Sequence, residues 1–338
     1  MSSAPTADEI ARDARWLAQA LDPGSNVVRL VEMSNEAYRA ASFLDDRLFQ
    51  QPANTQVLPW PQVEAAVPVD AREDARWIFH IGHVGSTLVA RLLGELDGVL
   101  SVREPRILRD VALLEGVRRS AYISPLRRLF SRTFAPTETA IIKATSFVSE
   151  IAAELIPPVG RALFMFAQPR AYIESILAGE NSRKELHALS GFRAGRMDQR
   201  ELKLEVLGKS DAHHAAAAWA CEMTSLEAAA EACGEQSVAW ADFDRMLRDM
   251  SNSLKRAAEF LGLPCTPERV AEIVASPLMG RYSKALEYDY SPRLRRELLE
   301  EAAFHNKRDI DDALRLLEVT AQTSPLLERA LTRTGAEI

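Results

Sequence analysis

Apolar positions along the chain change rhythm near residue 70. Before that point Thr6-x-x-Glu9 reads as a capping box. Ile10, Ala14, Leu17 and Leu21 then recur at helical spacing until Asp22-Pro23-Gly24 stops the run. Residues 27–31 have the composition of a short strand, and Ser34 caps a second helical pattern through Ala37, Ala41, Leu44 and Leu48. Pro52, Pro59 and Pro61 break the periodicity before Val63. Residues 1–70 are therefore expected to form a mostly helical N-terminal extension on a proline-rich connector. Packing onto the core, dimerisation and shaping of a binding site are all open roles for it.

Beyond residue 76, strand and helix patterns alternate. Residues 77–81, 99–102, 140–143, 161–167 and 237–243 are short apolar runs of strand type. Helical spacing fills 86–96, 106–119, 146–155, a segment opening at Pro169, and 250–261. Such alternation predicts an α/β domain over 71–338, three layers in αβα order around a central parallel sheet. Residues 179–235 interrupt the rhythm. Glycines at 179, 191, 195 and 208 separate charged, alanine-rich helical pieces with no strand signal. This helical insertion is either a lid or acceptor-binding segment, or a solvated excursion.

One stretch adds a chemical signal. The strand at 77–81 runs into Gly82-His83-Val84-Gly85-Ser86-Thr87-Leu88 and then into a helix. A glycine-bearing turn between strand and helix gathers backbone N–H groups and the positive end of the helix dipole, and Ser86 and Thr87 add hydroxyls. The plainer alternative is a helix cap that binds nothing. A sheet of P-loop nucleotide-binding type is the expected setting, yet a Walker A loop needs lysine after its last glycine, and here Ser86 follows Gly85. That weighs against an ATP-dependent phosphotransferase and leaves other phosphorylated nucleotides open.

Composition narrows the setting. The 338 residues suit a core of about 250 with an appended region. A net charge of −7 disfavours nucleic acid and anionic membranes as partners while allowing a local basic pocket. Cys221, Cys233 and Cys265 show no CxxC spacing and no accompanying histidine cluster, so neither a metal site nor a disulfide framework is expected. The first eight residues lack a basic stretch and an apolar core, and no segment approaches about 18 apolar residues. A cytoplasmic, non-membrane protein is the expectation.

Several separated pieces point the same way. Gly82-His-Val-Gly-Ser-Thr-Leu88 resembles the phosphosulfate loop of bacterial and Golgi-type sulfotransferases, with Gly85-Ser86-Thr87-Leu88 on the family's Gly-Thr-Thr-Leu. Arg103-Glu104-Pro105-Arg106 is similar in spacing to the Glu-x-Arg of the protein-tyrosine sulfotransferases, and Lys143 matches a lysine that ends the next core strand. Ala167-Gln168-Pro169-Arg170-Ala171…Ser175 resembles the 3′-phosphate motif. Trp240-Ala-Asp-Phe243 and Phe260-Leu-Gly-Leu-Pro264 look like the family's C-terminal signature. The likeness spans roughly residues 77–290, and it departs from the family at His83 and Ala167, where basic residues are usual.

The resemblance implies sulfuryl transfer from 3′-phosphoadenylyl sulfate (PAPS) to a hydroxyl acceptor, a small molecule or a peptide, without a metal. The product nucleotide would be adenosine 3′,5′-bisphosphate (PAP). Under it, Gly82, His83, Val84, Gly85, Ser86, Thr87 and Leu88 hold the 5′-phosphosulfate, and Arg170 and Ser175 hold the 3′-phosphate. Arg281 and Lys284 add charge there, and a homodimer is compatible with the family. Lys143 stabilises the transferring group from a strand end, the expected place for ligand contacts in an open α/β sheet. Glu104 is the candidate general base, its plain alternative being an ion pair with Arg103 or Arg106. His83 is the rival base or a phosphate contact, and His80 is read as a packed core histidine. His187, His213 and His214 are read as solvated helix faces, and Met165, Trp219 and Cys221 as core. A relative that kept the fold and lost the donor site is the non-catalytic alternative.

Overall fold

The computed structural model describes residues 4–280 and 292–333. Helix α1 (Ala7–Arg12) carries both halves of the capping box between Thr6 and Glu9, but it stops at Asp13. The chain continues into β1 (Trp16–Asp22), turns back as β2 (Val27–Glu32), and adds β3 (Thr55–Pro59) in the antiparallel order β1-β2-β3. Helix α2 (Asn35–Ala40) is capped by Ser34 as expected, and α3 (Trp60–Ala66) follows β3.

The extension is thus built on a sheet and is not mostly helical. The helical reading of Ala14, Leu17 and Leu21 failed because β1 is covered on both sides. Trp16, Leu17 and Ala18 are all buried, so the strand lacks the alternation that marks a half-exposed one.

The α/β domain follows the expected alternation. β4 (Arg76–His80) leads to α4 (Ser86–Leu93), and β5 (Val99–Arg103) to α5 (Arg106–Ala112) and α6 (Gly116–Ser131). β6 (Thr139–Lys143) is followed by a 3-10 turn (Ser146–Ile151) that runs into α7 (Ala152–Leu155). After β7 (Ala162–Phe166) come α8 (Pro169–Leu177), α9 (Glu180–Ala188), α10 (Ser190–Gln199) and α11 (Asp211–Cys233). β8 (Val238–Asp242) is followed by α12 (Phe243–Arg248), α13 (Met250–Leu261) and α14 (Pro267–Val274). Three helices close the described chain: α15 (Pro292–His305), α16 (Lys307–Ala321) and α17 (Pro325–Thr332).

The five strands are parallel in the order β5-β6-β4-β7-β8. α4 and α13 pack on one face, and the 3-10 turn and α11 on the other, giving the αβα layering. β4 lies between β6 and β7, so its C-terminal end opens where neighbouring connections diverge, the usual ligand crevice of such sheets.

The insertion divides in character. α11 is an inner layer rather than a solvated excursion: Trp219 is fully buried and its Nε1 donates to the Ala167 carbonyl at 2.9 Å. Met165 and Cys221 are core as expected, and burial pushes the Cys221 thiol up to about 12. At the surface His187 bonds Asp211 at 2.8 Å and stacks edge-on near His214.

Arg103 stitches the extension to the domain. Its buried guanidinium donates to the carbonyls of Tyr38, Arg39 and Ala41, while its own carbonyl accepts from Leu44 N–H at 2.8 Å. Arg132 does the same at the carbonyls of Ile10 and Trp16. No helix among the described residues is long and apolar enough to cross a membrane.

Candidate active site

At the end of β4 the chain curls through left-handed backbone at Gly82 (φ 88°), His83 (φ 56°) and Gly85 (φ 61°) before α4 begins. His83 is not glycine, and a non-glycine residue in this region marks a turn held by its surroundings. At Gly85 a second constraint applies, because the Phe243 ring lies where a Cβ would stand. His80 braces the turn from within the strand. Its Nδ1 accepts from Gly82 N–H at 3.0 Å, and its Nε2 is 2.9 Å from the Ala144 carbonyl. Those two partners fix the tautomer with the proton on Nε2. The buried histidine is therefore a core residue, as expected, and also the strut under the loop.

The loop faces a cavity of about 600 Å³ at the C-terminal ends of the parallel strands. All of Gly82, His83, Val84, Gly85, Ser86, Thr87 and Leu88 line it, as do Glu104, Lys143 and Ser175. Strand register explains the central pair. Arg103 and Lys143 are ladder partners in β5 and β6, and Glu104 N–H donates to the Lys143 carbonyl at 2.7 Å. Glu104 then takes left-handed backbone (φ 55°). Lys143 Nζ donates both to Glu104 Oε1 and, at 3.2 Å, to Thr87 Oγ1. Lysine, carboxylate and loop hydroxyl thus form one hydrogen-bonded chain.

Glu104 is not paired with Arg103 or Arg106. Arg103 is spent on backbone carbonyls, and Arg106 pairs with Asp46 and Asp110. The second oxygen of Glu104 instead meets Arg47 of the extension at 3.2 Å. Arg47 lies over the Phe43 ring, 3.4 Å from its centroid, and bonds Asp45 at 2.5 Å. Partial burial opposes the charge on Arg47, and Asp45 and Glu104 more than offset it. The two cations on Glu104 differ in exposure: the Lys143 side chain is 1% exposed and the Arg47 side chain 43%.

The predicted 3′-phosphate pair is not brought together. Ser175 lines the cavity and donates to the Tyr172 carbonyl at 2.7 Å, whereas Arg170 turns away to Asp311 at 2.6 Å. Proline at 169 and the following turn direct the Arg170 side chain to α16, which packs on α8. Arg281 and Lys284 lie outside the described residues. A guanidinium that the sequence reading missed does reach the cavity: Arg295 on α15, a helix that packs on α8. Its Nη1 bonds Asp244 at 2.5 Å, and its Nη2 is buried without a hydrogen-bond partner among the described residues.

Sequence reasoning also missed Phe43, Asp45 and Arg47 from the extension, and Phe147, Tyr172 and Arg193. Glu104 and Lys143 carried a motif signal. Arg47 carried none, because its approach depends on how β1 docks on α5 and α2 on β5.

No family model matches the chain, and no curated protein sequence matches it. Among solved structures it is similar to sulfotransferases. The sulfotransferase domain from the curacin biosynthetic pathway shares 12% identity over 70% of this chain and 99% of that one, with a TM-score of 0.43. A sulfotransferase from Alicyclobacillus acidocaldarius shares 15% over 78% and 97%, TM-score 0.39. A mouse sulfotransferase complexed with PAP shares 15% over 77% and 89%, TM-score 0.41.

Proposed function

We propose that the chain is a sulfotransferase that moves a sulfuryl group from PAPS to a hydroxyl acceptor. The observation that carries this reading is the chain Glu104–Lys143–Thr87, set at the mouth of a loop-to-helix anion site in one crevice. The donor fits the residues present at its phosphosulfate end, where the α4 N-terminus, Ser86 and Thr87 line the cavity. At its 3′-phosphate end Ser175 and Arg295 are the candidates, and the unpartnered Arg295 Nη2 is a donor awaiting an acceptor. Arg295 replaces Arg170 in that role.

The bound donor supplies a sulfuryl group with a good leaving phosphate. The protein's own work is positioning and charge. Thr87 accepts from Lys143, which leaves its hydroxyl proton free to be donated to an anionic oxygen. Lys143 is aimed so that its ammonium neutralises charge developing at the transferred group. Glu104 takes the acceptor proton at Oε2, the oxygen now held by the more exposed Arg47, so an arriving hydroxyl displaces Arg47 while Lys143 stays in place. The absence of lysine after Gly85 disfavours the ATP-dependent alternative.

Isothermal titration with PAP tests the reading, with micromolar affinity expected. No heat at millimolar ligand would overturn the donor assignment. Arg295→Gln should weaken PAP binding about tenfold, and Arg170→Gln should leave it unchanged. Glu104→Gln should reduce turnover about 100-fold or more with PAP affinity within threefold. His83 gives a further expectation. It stands in the anion loop, with Nδ1 3.5 Å from Ser182 Oγ. As a phosphate contact it should be improved by a fixed charge: His83→Arg should tighten PAP binding several-fold and His83→Ala should weaken it, and unchanged affinity in both variants would remove His83 as a phosphate contact.

A further inference from the structure

α10 and the residue that ends it place three arginines, Arg193, Arg196 and Arg200, on the inner side of the insertion, against the carboxylates of Glu150 and Glu222. Arg193 Nε donates to Glu222 Oε1 at 3.0 Å. Arg200 holds Glu150 with two bonds of 2.7 Å to Nη1. Arg196 lies 3.8 Å from that same Glu150 and over the Phe147 ring. Tyr172 and Cys221, the other titratable groups packed here, are kept neutral by burial, and the Glu222 carboxyl is pushed up by its own burial. Counted by residue, the cluster sets three guanidinium groups against two carboxylates, and the surplus falls on Arg196 and Arg200, which share Glu150. Burying a charge without a partner is costly, and the cost falls when an anion arrives.

Three guanidinium nitrogens in the cluster, Arg193 Nη1, Arg196 Nη1 and Arg200 Nε, are buried without a hydrogen-bond partner among the described residues, as is one acceptor, Glu222 Oε2. Of the three arginines only Arg193 lines the cavity, and it is 6% exposed. Ile176, Leu186 and Leu189 line the same cavity, together with the polar Ser175 and Ser182. Leu294 and Leu298, 42% and 44% exposed, stand at its edge, and Glu185 is the exposed carboxylate nearby. Arg295 is the under-partnered guanidinium assigned to the donor, and Arg193 is a second one in the same cavity, so a molecule with apolar surface and its own anion suits the space beside it.

We propose that the acceptor is a largely apolar phenol or alcohol bearing a carboxylate, whose carboxylate docks on Arg193 while its hydroxyl faces Glu104. This rests on the sulfuryl-transfer reading for the hydroxyl's role, but the carboxylate site stands on Arg193 alone. The step itself is balanced: the acceptor O–H loses its proton to Glu104, the new bond is O–S, and the bond broken joins sulfur to the phosphate oxygen of the donor.

The test is a calorimetric titration of two probes, 3-(4-hydroxyphenyl)propionate and its primary amide, with and without PAP. The carboxylate should bind the wild type at least about tenfold more tightly than the amide. Arg193→Gln should abolish that preference. Arg193→Gln/Glu222→Gln should do so as well, removing both charges of the pair while keeping a hydrogen bond, and it serves where the single variant does not fold. Arg109→Gln, which changes another arginine lining the cavity, should keep the preference. Equal affinity of the two probes for the wild type overturns the proposal. So does a preference that survives in either folded Arg193 variant, or one lost in Arg109→Gln. PAP binding on the same samples reports the donor reading separately: its failure with an intact carboxylate preference would sink the activity and leave the anion site standing.

Discussion

Replacing Lys143 by methionine is expected to lower turnover by about 100- to 1000-fold, the range seen when one charge-stabilising group is removed from a preorganised site. The side chain is 1% exposed, so methionine fills most of its volume and the loss falls on charge rather than packing. A stability cost of about 1–3 kcal/mol should accompany it, because Glu104 loses the partner on Oε1 and keeps only Arg47 on Oε2. The double variant Lys143→Met/Glu104→Gln separates the two effects. It should recover most of the thermal stability, since no unpaired charge remains, and none of the activity. Steady-state kinetics with PAPS and calorimetric unfolding read them independently. Turnover within tenfold of wild type for the single variant would exclude Lys143 from the reaction.

Gly85→Ala is expected to destroy donor binding by a purely steric route. Two penalties coincide at this position: left-handed backbone, costing an alanine about 1 kcal/mol, and the Phe243 ring occupying the space of the new methyl. The ring cannot yield freely, because Phe243 is buried at the start of α12, where Asp242 caps the helix through the N–H groups of Asp244 and Arg245. The loop must move instead, and with it the N–H groups at the head of α4. Stability should fall by about 2–4 kcal/mol and PAP affinity by more than tenfold. Adding Phe243→Leu opens the space and should restore part of both. Unaltered PAP binding in Gly85→Ala would mean that the loop does not hold the nucleotide.

Much of this site is local in sequence, which is why it was legible. The loop from Gly82 to Leu88 joins a strand to the helix that directly follows it. Glu104 and Lys143 sit at the ends of adjacent strands, where parallel register alone brings them together. The alternation of apolar runs likewise gave the αβα domain and its parallel sheet. What escaped was non-local. β1 carries the same apolar positions as a helix would, and only its pairing with β2 and its packing on α5 distinguish the two. Arg170 has the sequence position of a phosphate ligand, but Asp311, far along the chain, captures it. Arg47 and Arg295 reach the cavity from elements whose docking no short motif encodes. The buried arginines of α10 read as an ordinary charged stretch until Glu150 and Glu222 are seen beneath them.

The clasp formed by Arg103 has a consequence for how the protein behaves in a crowded solution. β5 is an edge strand, and an edge offers a row of backbone groups to any other chain that can extend the sheet. Here all five of its residues are buried, Leu44 N–H takes the Arg103 carbonyl, and the guanidinium pins α2 alongside. The segment of the extension from α2 to Leu44 therefore doubles as a guard against runaway strand addition. A chain made without its first fifty residues would lose Arg47 from the cavity and at the same time expose a sticky sheet margin, and its first symptom would be aggregation.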